Sequence, residues 1–515
     1  MNKFLRTYWL ILLMAASKLA IQLLAPNHRW DLQRDEYLYL AEGNHLAWGY
    51  LEVPPTMAVL ALICKWLGES LLVIRLIPAL IGTATILFTG RIAKDLGGGL
   101  LAQFLAMAAF LFSGYLRMDM LFQPNALEVL YFTWCAWYLI RYIQRPDHRY
   151  LIYIGIILGL GLMNKYSMGL FIIGLFAGMI LTPYRKLIRN KYTWISLGIA
   201  LVIFIPNIIW QIIHRFPVVH HMEELSRTQL IHVSASSFLM DQGLNCLAGL
   251  PVWLAGLAFY LFSHRGKPFR ILGWMYLTII VFLLVTHGKG YYAMVCYPML
   301  MGAGGVYITR LSSSPALRFT LRPALVLWIF VLGIRILPLL IPTLTPSKMV
   351  QFCKPFRTLG LLRWEDGTIH PLPQDYADML GWKELGLKVV RTFSSLDSTN
   401  QARTVILCDD YGQSGSLEYY GRQDHLPPVE GKEASFQLWI PRSQYIHNLL
   451  LVTDNPADLH NPILTRNFKK IVLAGSITNP FSREEGDLIL MCYGANADFN
   501  RLFHAWNQAV RARFE

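Results

Sequence analysis

The chain has 515 residues, of which 54% are hydrophobic and only 15% are charged, and its mean hydropathy is +0.39. These values are too apolar for a water-soluble protein and indicate a polytopic α-helical membrane protein. The formal net charge of +14 comes from basic residues that are scattered along the chain. We attribute this charge to basic loops beside anionic membrane lipids, and the lack of a basic stripe argues against nucleic-acid binding.

Apolar runs along the chain predict about eleven transmembrane helices, although some runs are shorter than the roughly 20 residues that a full crossing requires. The first run is long enough to cross the membrane and is not followed by small residues typical of a cleavage site, so we do not interpret it as a signal peptide. The predicted spans lie near residues 8–25, 70–90, 100–114, 124–141, 151–163, 168–182, 193–213, 236–262, 271–286, 291–308 and 323–341.

Lysine and arginine residues orient these predicted spans. Basic clusters recur in alternate loops, for example at 141–149, 185–191 and 310–322, and the positive-inside rule places them in the cytoplasm. The opposite side then receives the loop that holds Asp35 and Glu52, and an odd number of spans puts the C-terminal segment on that side too. We therefore expect a multi-pass protein of the plasma (inner) membrane whose acids and C-terminal segment are extracytoplasmic.

The composition changes from about Thr343, where short strand-like runs alternate with Gly, Pro, Asn and Asp turns. We expect a transmembrane domain over residues 1–342 and a soluble α/β or α+β domain over residues 343–515. The run 409–412, at the end of one predicted strand, is more typical of a turn than of a binding site. The clearest predicted strands are 404–407, 436–440, 449–452 and 488–492.

The first outward loop begins with two candidate catalytic carboxylates, Asp35 and Glu36. They precede an amphipathic run, residues 37–42, that predicts a short helix along the membrane interface. A carboxylate near apolar surface is a stronger base, since its charged form is disfavoured. Asp35 is therefore the leading candidate for a general base, and the competing interpretation is an ion pair with Arg34 or Arg29.

Two further acids are candidates for a site. Glu52 comes shortly before a Pro-Pro step that redirects the chain, so it is a candidate ligand for a cation or a substrate, with helix capping as the alternative. Asp119 lies between two predicted spans, where an ionisable side chain is a functional candidate. Pairing with nearby Arg117 competes with that interpretation.

Two lysines on the predicted outer side are candidate phosphate ligands. Lys165 ends an apolar run, where it either reaches the lipid head groups or holds a phosphate. Lys289 lies between glycines that allow close approach to a ligand, and Tyr291 and Tyr292 follow it as substrate contacts or as part of an aromatic belt. Together with Arg117, these cations suit an anionic phosphate leaving group opposite a general base.

A divalent cation is the one candidate cofactor. Histidines in the loop after the span 193–213 are potential metal ligands, and we considered His220 and His221 together with Glu52. Adjacent loop histidines are more often simply solvated. No nucleotide-binding or zinc-protease motif is present in the sequence.

Taken in order, several segments resemble bacterial glycosyltransferase family 39 proteins, the relatives of dolichyl-phosphate-mannose protein mannosyltransferases that include the aminoarabinose lipid A transferase. The resemblance covers nearly the whole membrane part of the chain, and the C-terminal part is only loosely similar. The segments that carry it are 34–40 (RDEYLYL), 48–55 (WGYLEVPP), 76–80 (LIPAL), 159–165, 206–211 and 288–292 (GKGYY).

The resemblance implies a GT-C fold and an inverting hexosyl- or pentosyltransferase. Its donor would be a polyprenyl-phosphate sugar, and its acceptor a cell-envelope lipid, glycan or protein at the outer face. In this family Asp35 matches the proposed base, Glu52 an acid near the donor phosphate or a metal, and Lys165 and Lys289 phosphate-binding positions. Many relatives have a polar residue where this chain has Val53. Asp119 matches the second-loop acid approximately.

A transporter or flippase of lipid-linked substrates is the alternative from another functional class. It would predict pseudo-symmetric halves and ionisable residues near the bilayer midplane. The candidate acids instead cluster in outer loops, and the sequence shows no internal repeat. We therefore favour a transferase.

Overall fold

The structure is a computed structural model of the chain, and it describes residues 3–424, 426–442 and 444–514, with side chains from residue 7 onward. The Cα positions form two compact units. The helical unit consists of Met1–Pro26, Ser70–Asn207 and Leu225–Leu344, and the sheet unit of Asn27–Glu69, Ile208–Glu224 and Thr345–Glu515. The segment predicted as the first outward loop thus clusters with the C-terminal part of the chain.

Helices account for most of the described residues. In chain order they are α1 (Lys3–Leu24), α2 (Arg34–Glu42), α3 (Thr56–Trp66), α4 (Leu71–Asp95), α5 (Leu100–Leu111), α6 (Tyr115–Met118), α7 (Pro124–Gln144), α8 (Arg149–Leu162), α9 (Gly169–Ile180), α10 (Lys191–Ile213), α11 (Pro217–Thr228), α12 (Ala235–Leu244), α13 (Leu250–Phe262), α14 (Arg270–Val285), α15 (Tyr297–Leu311), α16 (Pro315–Leu340), α17 (Pro346–Cys353), α18 (Gln374–Ala377), α19 (Trp382–Ser394), α20 (Ser398–Gln401), α21 (Tyr411–Gly421), α22 (Phe436–Trp439), α23 (Pro462–Asn467) and α24 (Ala497–Phe514).

Within the described residues, five helices are long and apolar enough to cross a membrane. A sixth span results if the segments Tyr166–Ile180 and Pro183–Arg189, which meet at a bend of 118°, are one broken crossing. Shorter apolar helices, such as α5 and α13, account for other predicted spans, and the number eleven stays a prediction. The five long spans are Thr7–Leu24, Leu71–Asp95, Lys191–Ile213, Lys267–Val285 and Pro315–Leu340.

One predicted span is divided in the structure. The run 236–262 forms α12 and α13, because Gly249 caps α13 and a proline occupies its first turn. Hydrophobicity alone does not reveal this break.

Close helix packing in the helical unit depends on glycine. A Cβ atom on Gly256 of α13 would collide with the Leu300 carbonyl of α15, and one on Gly304 would collide with the Val252 carbonyl. The two helices approach until backbone meets backbone, as small residues permit in membrane proteins. They bury a continuous apolar core that includes Val252, Leu300 and Val306.

The sheet unit holds a five-stranded sheet in the order β2-β1-β3-β5-β4. Strand β1 pairs in parallel with β2 and β3, and β5 runs antiparallel to β3 and β4. Helix α24 covers one face, where Phe499 and Phe503 pack with Leu407, Leu449 and Leu490. The strands are β1 (Thr404–Cys408), β2 (Val429–Gly431), β3 (Asn448–Thr453), β4 (Phe468–Ser476) and β5 (Leu488–Ala495).

This sheet confirms the predicted α/β character and three of the predicted strands, at β1, β3 and β5. The prediction of a strand over 436–440 is wrong, because Phe436–Trp439 is helix α22. Phe436 and Trp439, three residues apart, fall on one helical face and make an edge-on ring contact with centroids 4.8 Å apart. This packing overrides the β propensity of the aromatic residues.

The short helix predicted from the run 37–42 is present as α2. It is not an exposed interfacial helix, since every residue from Glu36 to Glu42 is buried. Helix α2 packs against α21 within the sheet unit, and a Cβ atom on Gly415 would lie only 2.7 Å from the Tyr37 carbonyl oxygen. The start of the predicted outward loop is therefore part of a packed core.

Candidate active site

The first turn of α2 presents Asp35. Gln33 caps this helix, and its side-chain oxygen accepts a hydrogen bond from the Asp35 N–H group at 2.9 Å. The Gln33 N–H group in turn donates to a carboxylate oxygen of Glu36 at 2.7 Å, which completes a capping box. The cap fixes the turn on which Asp35 lies half-buried.

Glu36 was predicted to share the catalytic role with Asp35. It is fully buried, and its carboxylate accepts the backbone hydrogen bond that closes the cap. A carboxylate in this position stabilises the helix start. We therefore assign Glu36 a structural role and do not carry it into the mechanism.

The Asp35 carboxylate is held by a residue that the sequence did not single out. The Tyr411 hydroxyl donates to Asp35 Oδ1 at 2.8 Å. Neighbouring Arg34 forms ion pairs with Asp410 and, at 3.7 Å, with Glu433. Asp410 is also the N-cap of α21, so the run 409–412, which was predicted as a turn, forms the start of a helix. Tyr411, the residue after this cap, is the one that contacts Asp35.

Glu52 lies between α2 and α3 in the same unit. The Ser435 hydroxyl donates to Glu52 Oε2 at 2.8 Å and accepts from the Leu51 N–H group at 3.1 Å. Burial raises the pKa of Glu52 to about 7, and the hydrogen bond from Ser435 opposes this rise. A carboxyl group with such a pKa changes charge near neutral pH.

Glu42 is a second buried acid of this region, and sequence reasoning missed it. Both of its carboxylate oxygens are without a hydrogen-bond partner among the described residues, as is Oε1 of Glu52. Burial, followed by the charge of Glu52, raises the pKa of Glu42 well above its usual value. In the sequence, the signal for Glu42 was its position as the charged residue that ends the run 37–42.

The structure does not assemble the metal ligands suggested by the sequence. Within the described ranges, no group of three His, Cys, Asp or Glu side chains is placed to hold a metal ion. His220 instead makes an edge-on contact with Phe514, with ring centroids 5.9 Å apart. The residues present do not fit a three-ligand site that combines Glu52, His220 and His221, and we derive no step through a metal.

In the helical unit, Lys165 is the centre of a polar cluster. Its ammonium lies 2.6 Å from Asn125 Oδ1 and 3.1 Å from Glu128 Oε2. The ring centroids of Tyr291 and Tyr292 are 5.4 and 5.0 Å from the same ammonium. The lysine does not simply reach for the head groups, because these partners hold it within the protein.

Lys289 lies just before this pair of tyrosines. Its ammonium donates to Gln229 Oε1 at 2.6 Å. The glycine that follows, Gly290, packs against the Asp241 carboxylate, with which a Cβ atom would collide. Packing against Asp241 is thus sufficient to require glycine at position 290, where the sequence pattern suggested close approach of a ligand.

Asp119 pairs with a residue far away in the sequence. Its carboxylate lies 3.0 Å from the Lys18 ammonium, and both side chains are fully buried. Arg117, the predicted competitor for this pairing, acts electrostatically on Asp241. The sequence held a signal for these buried polar contacts, because ionisable residues inside apolar runs are rare. Lys18 lies inside the first apolar run, and Glu128 lies inside the run 124–141.

Each unit thus contains its own group of chemically distinct residues. The sheet unit offers a positioned carboxylate, Asp35, suited to accept a proton. The helical unit offers a lysine cluster around Lys165 that is suited to an anion.

Comparison with known proteins identifies the group to which these features correspond. The family model described as dolichyl-phosphate-mannose-protein mannosyltransferase matches residues 52–210. No curated protein sequence matches the chain significantly.

Solved structures share the fold over most of the chain. ArnT from Cupriavidus metallidurans bound to undecaprenyl phosphate is 14% identical, with a TM-score of 0.64, covering 94% of this chain and 98% of that one. Its apo structure is 15% identical, with a TM-score of 0.63 and the same coverage. The arabinofuranosyltransferase AftD from Mycobacteria is 13% identical, with a TM-score of 0.50, covering 96% of this chain and 42% of that one.

The family match and the shared fold confirm the resemblance seen in the sequence motifs. The likeness in structure also confirms the GT-C fold, with its many apolar helices and its small sheet. Residues 52–210 thus match the dolichyl-phosphate-mannose-protein mannosyltransferase family, and the chain shares its fold with ArnT.

Proposed function

We propose that the protein transfers one sugar from a polyprenyl phosphate to a hydroxyl group of a cell-envelope acceptor, with inversion at the anomeric carbon. The observation that carries the proposal is the fold shared with ArnT, whose structure holds undecaprenyl phosphate. The sugar is a hexose or a pentose, and the acceptor is a lipid, glycan or protein on the extracytoplasmic side of the inner membrane.

Asp35 is the proposed general base. Its carboxylate takes the proton of the acceptor hydroxyl while the oxygen attacks the anomeric carbon from the side opposite the phosphate. The bond between the anomeric carbon and the phosphate oxygen breaks, and the leaving polyprenyl phosphate keeps the electron pair. Asp35 then returns its proton to water.

Lys165 and Lys289 are the proposed phosphate ligands, with Arg117 as a further cation. Glu128, Asn125 and the tyrosine pair hold the Lys165 ammonium in place before substrate arrives. Such a fixed charge stabilises a developing phosphate anion without reorganising during the reaction. Tyr291 and Tyr292 contribute ring faces beside that charge.

Glu52 is proposed to lie near the donor phosphate. Since burial raises the pKa of Glu52 to about 7, its carboxyl group carries a proton in part of the population at neutral pH. A protonated carboxyl donates a hydrogen bond and does not repel phosphate.

The test is mass spectrometry of envelope glycolipids, glycans and glycoproteins from three strains: wild type, a deletion, and Asp35→Asn at wild-type expression. We expect one class of molecules to lose a single sugar in both altered strains. Asp31→Asn, at a neighbouring half-buried acid of the same segment, is the control and is expected to retain the sugar. An unchanged profile in the deletion strain would reject the transferase proposal.

A further inference from the structure

The junction between β1 and α21 fixes the backbone of Tyr411. Asp410 is the N-cap of α21, and its Oδ1 accepts from the N–H groups of Gly412 at 2.5 Å and Gln413 at 3.2 Å. The Gln413 side chain completes a capping box with the Asp410 N–H group at 3.2 Å. Tyr411 is thereby the first residue of the helix that follows the inner strand β1.

Two glycines bring this helix against α2 within the sheet unit. A Cβ atom on Gly412 would lie 2.7 Å from Arg34 Cγ, and one on Gly415 would lie 2.7 Å from the Tyr37 carbonyl oxygen. Tyr37 is in edge-on contact with Trp382, with ring centroids 5.6 Å apart. Any larger residue at either glycine would push α21 away from the helix that bears Asp35.

The side chain of Tyr411 is held on two sides. The Arg34 guanidinium lies 4.2 Å from its ring centroid, and the same guanidinium pairs with Asp410. Burial raises the pKa of Tyr411 well above its usual value, so the hydroxyl keeps its proton and acts as a donor. That donor lies 2.8 Å from Asp35 Oδ1.

We propose that Tyr411 is a positioning residue for Asp35, and that the sheet unit thereby takes part in the catalytic step. A hydrogen bond to one carboxylate oxygen fixes the rotation of the carboxylate plane, which sets the direction in which Asp35 meets the acceptor hydroxyl. Arg34 acts through Tyr411 by stacking on its ring. This inference rests on the proposed function, in which Asp35 is the base.

The hydrogen bond also has an electrostatic consequence. A donor that binds the charged form of a carboxylate favours that form and lowers its pKa. Removing the Tyr411 hydroxyl therefore raises the pKa of Asp35. The acidic limb of the pH–rate profile, where protonation of Asp35 stops transfer, therefore moves to higher pH.

The experiment measures initial rates of sugar transfer between about pH 5 and pH 9. Membrane vesicles from the deletion strain carry each variant of the full chain, with the endogenous donor and acceptor and mass spectrometry of the product. We expect Tyr411→Phe to slow transfer roughly 10-fold and to move the acidic limb of the profile up by about one pH unit.

Tyr419→Phe is the matched control. Tyr419 lies on the same helix, and its hydroxyl donates to the Glu69 carbonyl oxygen at 3.4 Å. Its rate and profile are expected to equal those of the wild type. Substitution of Tyr411 by 3,5-difluorotyrosine keeps ring and hydroxyl and strengthens the donor, so the acidic limb is expected to move downward. This substitution keeps the inference testable even where Tyr411→Phe fails to accumulate.

The outcomes separate the two proposals. If Asp35→Asn abolishes transfer while neither Tyr411 variant moves the acidic limb, the positioning role is wrong and the proposed function stands. If Asp35→Asn transfers sugar at the wild-type rate, the proposed base itself is wrong. A slower Tyr411→Phe variant with an unmoved limb also overturns the inference, because a merely structural loss has that signature.

Discussion

The ammonium of Lys18 lies 3.0 Å from the carboxylate of Asp119, and water reaches neither side chain. The two residues are about one hundred positions apart, on α1 and just after α6. Lys18 also donates to Gln22, whose amide donates to the Leu116 carbonyl oxygen at 3.1 Å. Asp119 is therefore better explained as one member of a buried ion pair than as a second catalytic acid.

Breaking this pair on one side is expected to destabilise the protein. Lys18→Met leaves a buried carboxylate without its cation, which costs about 3–5 kcal/mol of unfolding free energy. The double variant Lys18→Met/Asp119→Leu removes both charges and is expected to regain most of that loss. Thermal unfolding of the purified protein in detergent measures both effects. A catalytic role for Asp119 would show instead as an inactive Asp119→Asn variant with a wild-type melting temperature.

Gly82 on α4 provides a second test of the same pair. A Cβ atom at this position would collide with the Asp119 carboxylate and the Lys18 ammonium. We expect Gly82→Ala to lower the free energy of unfolding by about 2 kcal/mol through overpacking. Gly198→Ala is the control, because nothing lies within 4 Å of its Cβ position, and it should be neutral or slightly stabilising. Equal melting temperatures for the two variants would contradict this packing.

Glu52 is expected to make stability depend on pH. Its pKa is about 7 in the folded protein against a usual value of 4.5, so the folded state holds a proton that the unfolded state releases between these values. The stabilisation is complete below pH 4.5 and is lost as the pH rises through about 7.

Glu52→Gln imitates the protonated group and still accepts the hydrogen bond from Ser435. Its melting temperature should equal that of the wild type near pH 5 and exceed it near pH 8 by the equivalent of about 1–2 kcal/mol. The exposed Glu485→Gln variant is the control and should show no such divergence. A difference between Glu52→Gln and wild type that does not change with pH would refute the assignment.

The Lys165 cluster is expected to govern use of the donor. Lys165→Met removes a fixed charge and should lower transfer in membrane vesicles about 100-fold. Lys191→Met is a matched control, since Lys191 also lies over a tyrosine ring, 5.3 Å from that of Tyr192, without belonging to the cluster. It is expected to transfer at the wild-type rate. Wild-type transfer by Lys165→Met would remove this lysine from the phosphate-binding group.

Much of the architecture was predictable from local pattern. Long apolar runs require helices in a membrane, because every backbone polar group must be satisfied within the segment. Short runs between turn residues predicted β1, β3 and β5. The motifs around Asp35, Glu52 and the Gly-Lys-Gly-Tyr-Tyr segment indicated a family resemblance, which agrees with the family match over residues 52–210 and with the shared fold.

Local pattern failed where a distant segment decided the outcome. The run 436–440 has strand-like composition, yet contacts of Phe436 and Trp439 make it a helix. The run 37–42 has the alternation of an interfacial helix, yet it is buried against α21. In both cases burial against another segment outweighs intrinsic propensity.

The sequence by itself determined the fold class, the family resemblance and the presence of candidate acids and lysines, because hydropathy and motif spacing are properties of neighbouring residues. Only the tertiary structure decided which groups meet. It paired Asp119 with Lys18, Lys165 with Glu128, and Asp35 with Tyr411, which is 376 residues away in the chain. Such partners are chosen by the packing of whole helices and strands, since a buried polar group must find a partner wherever the fold supplies one.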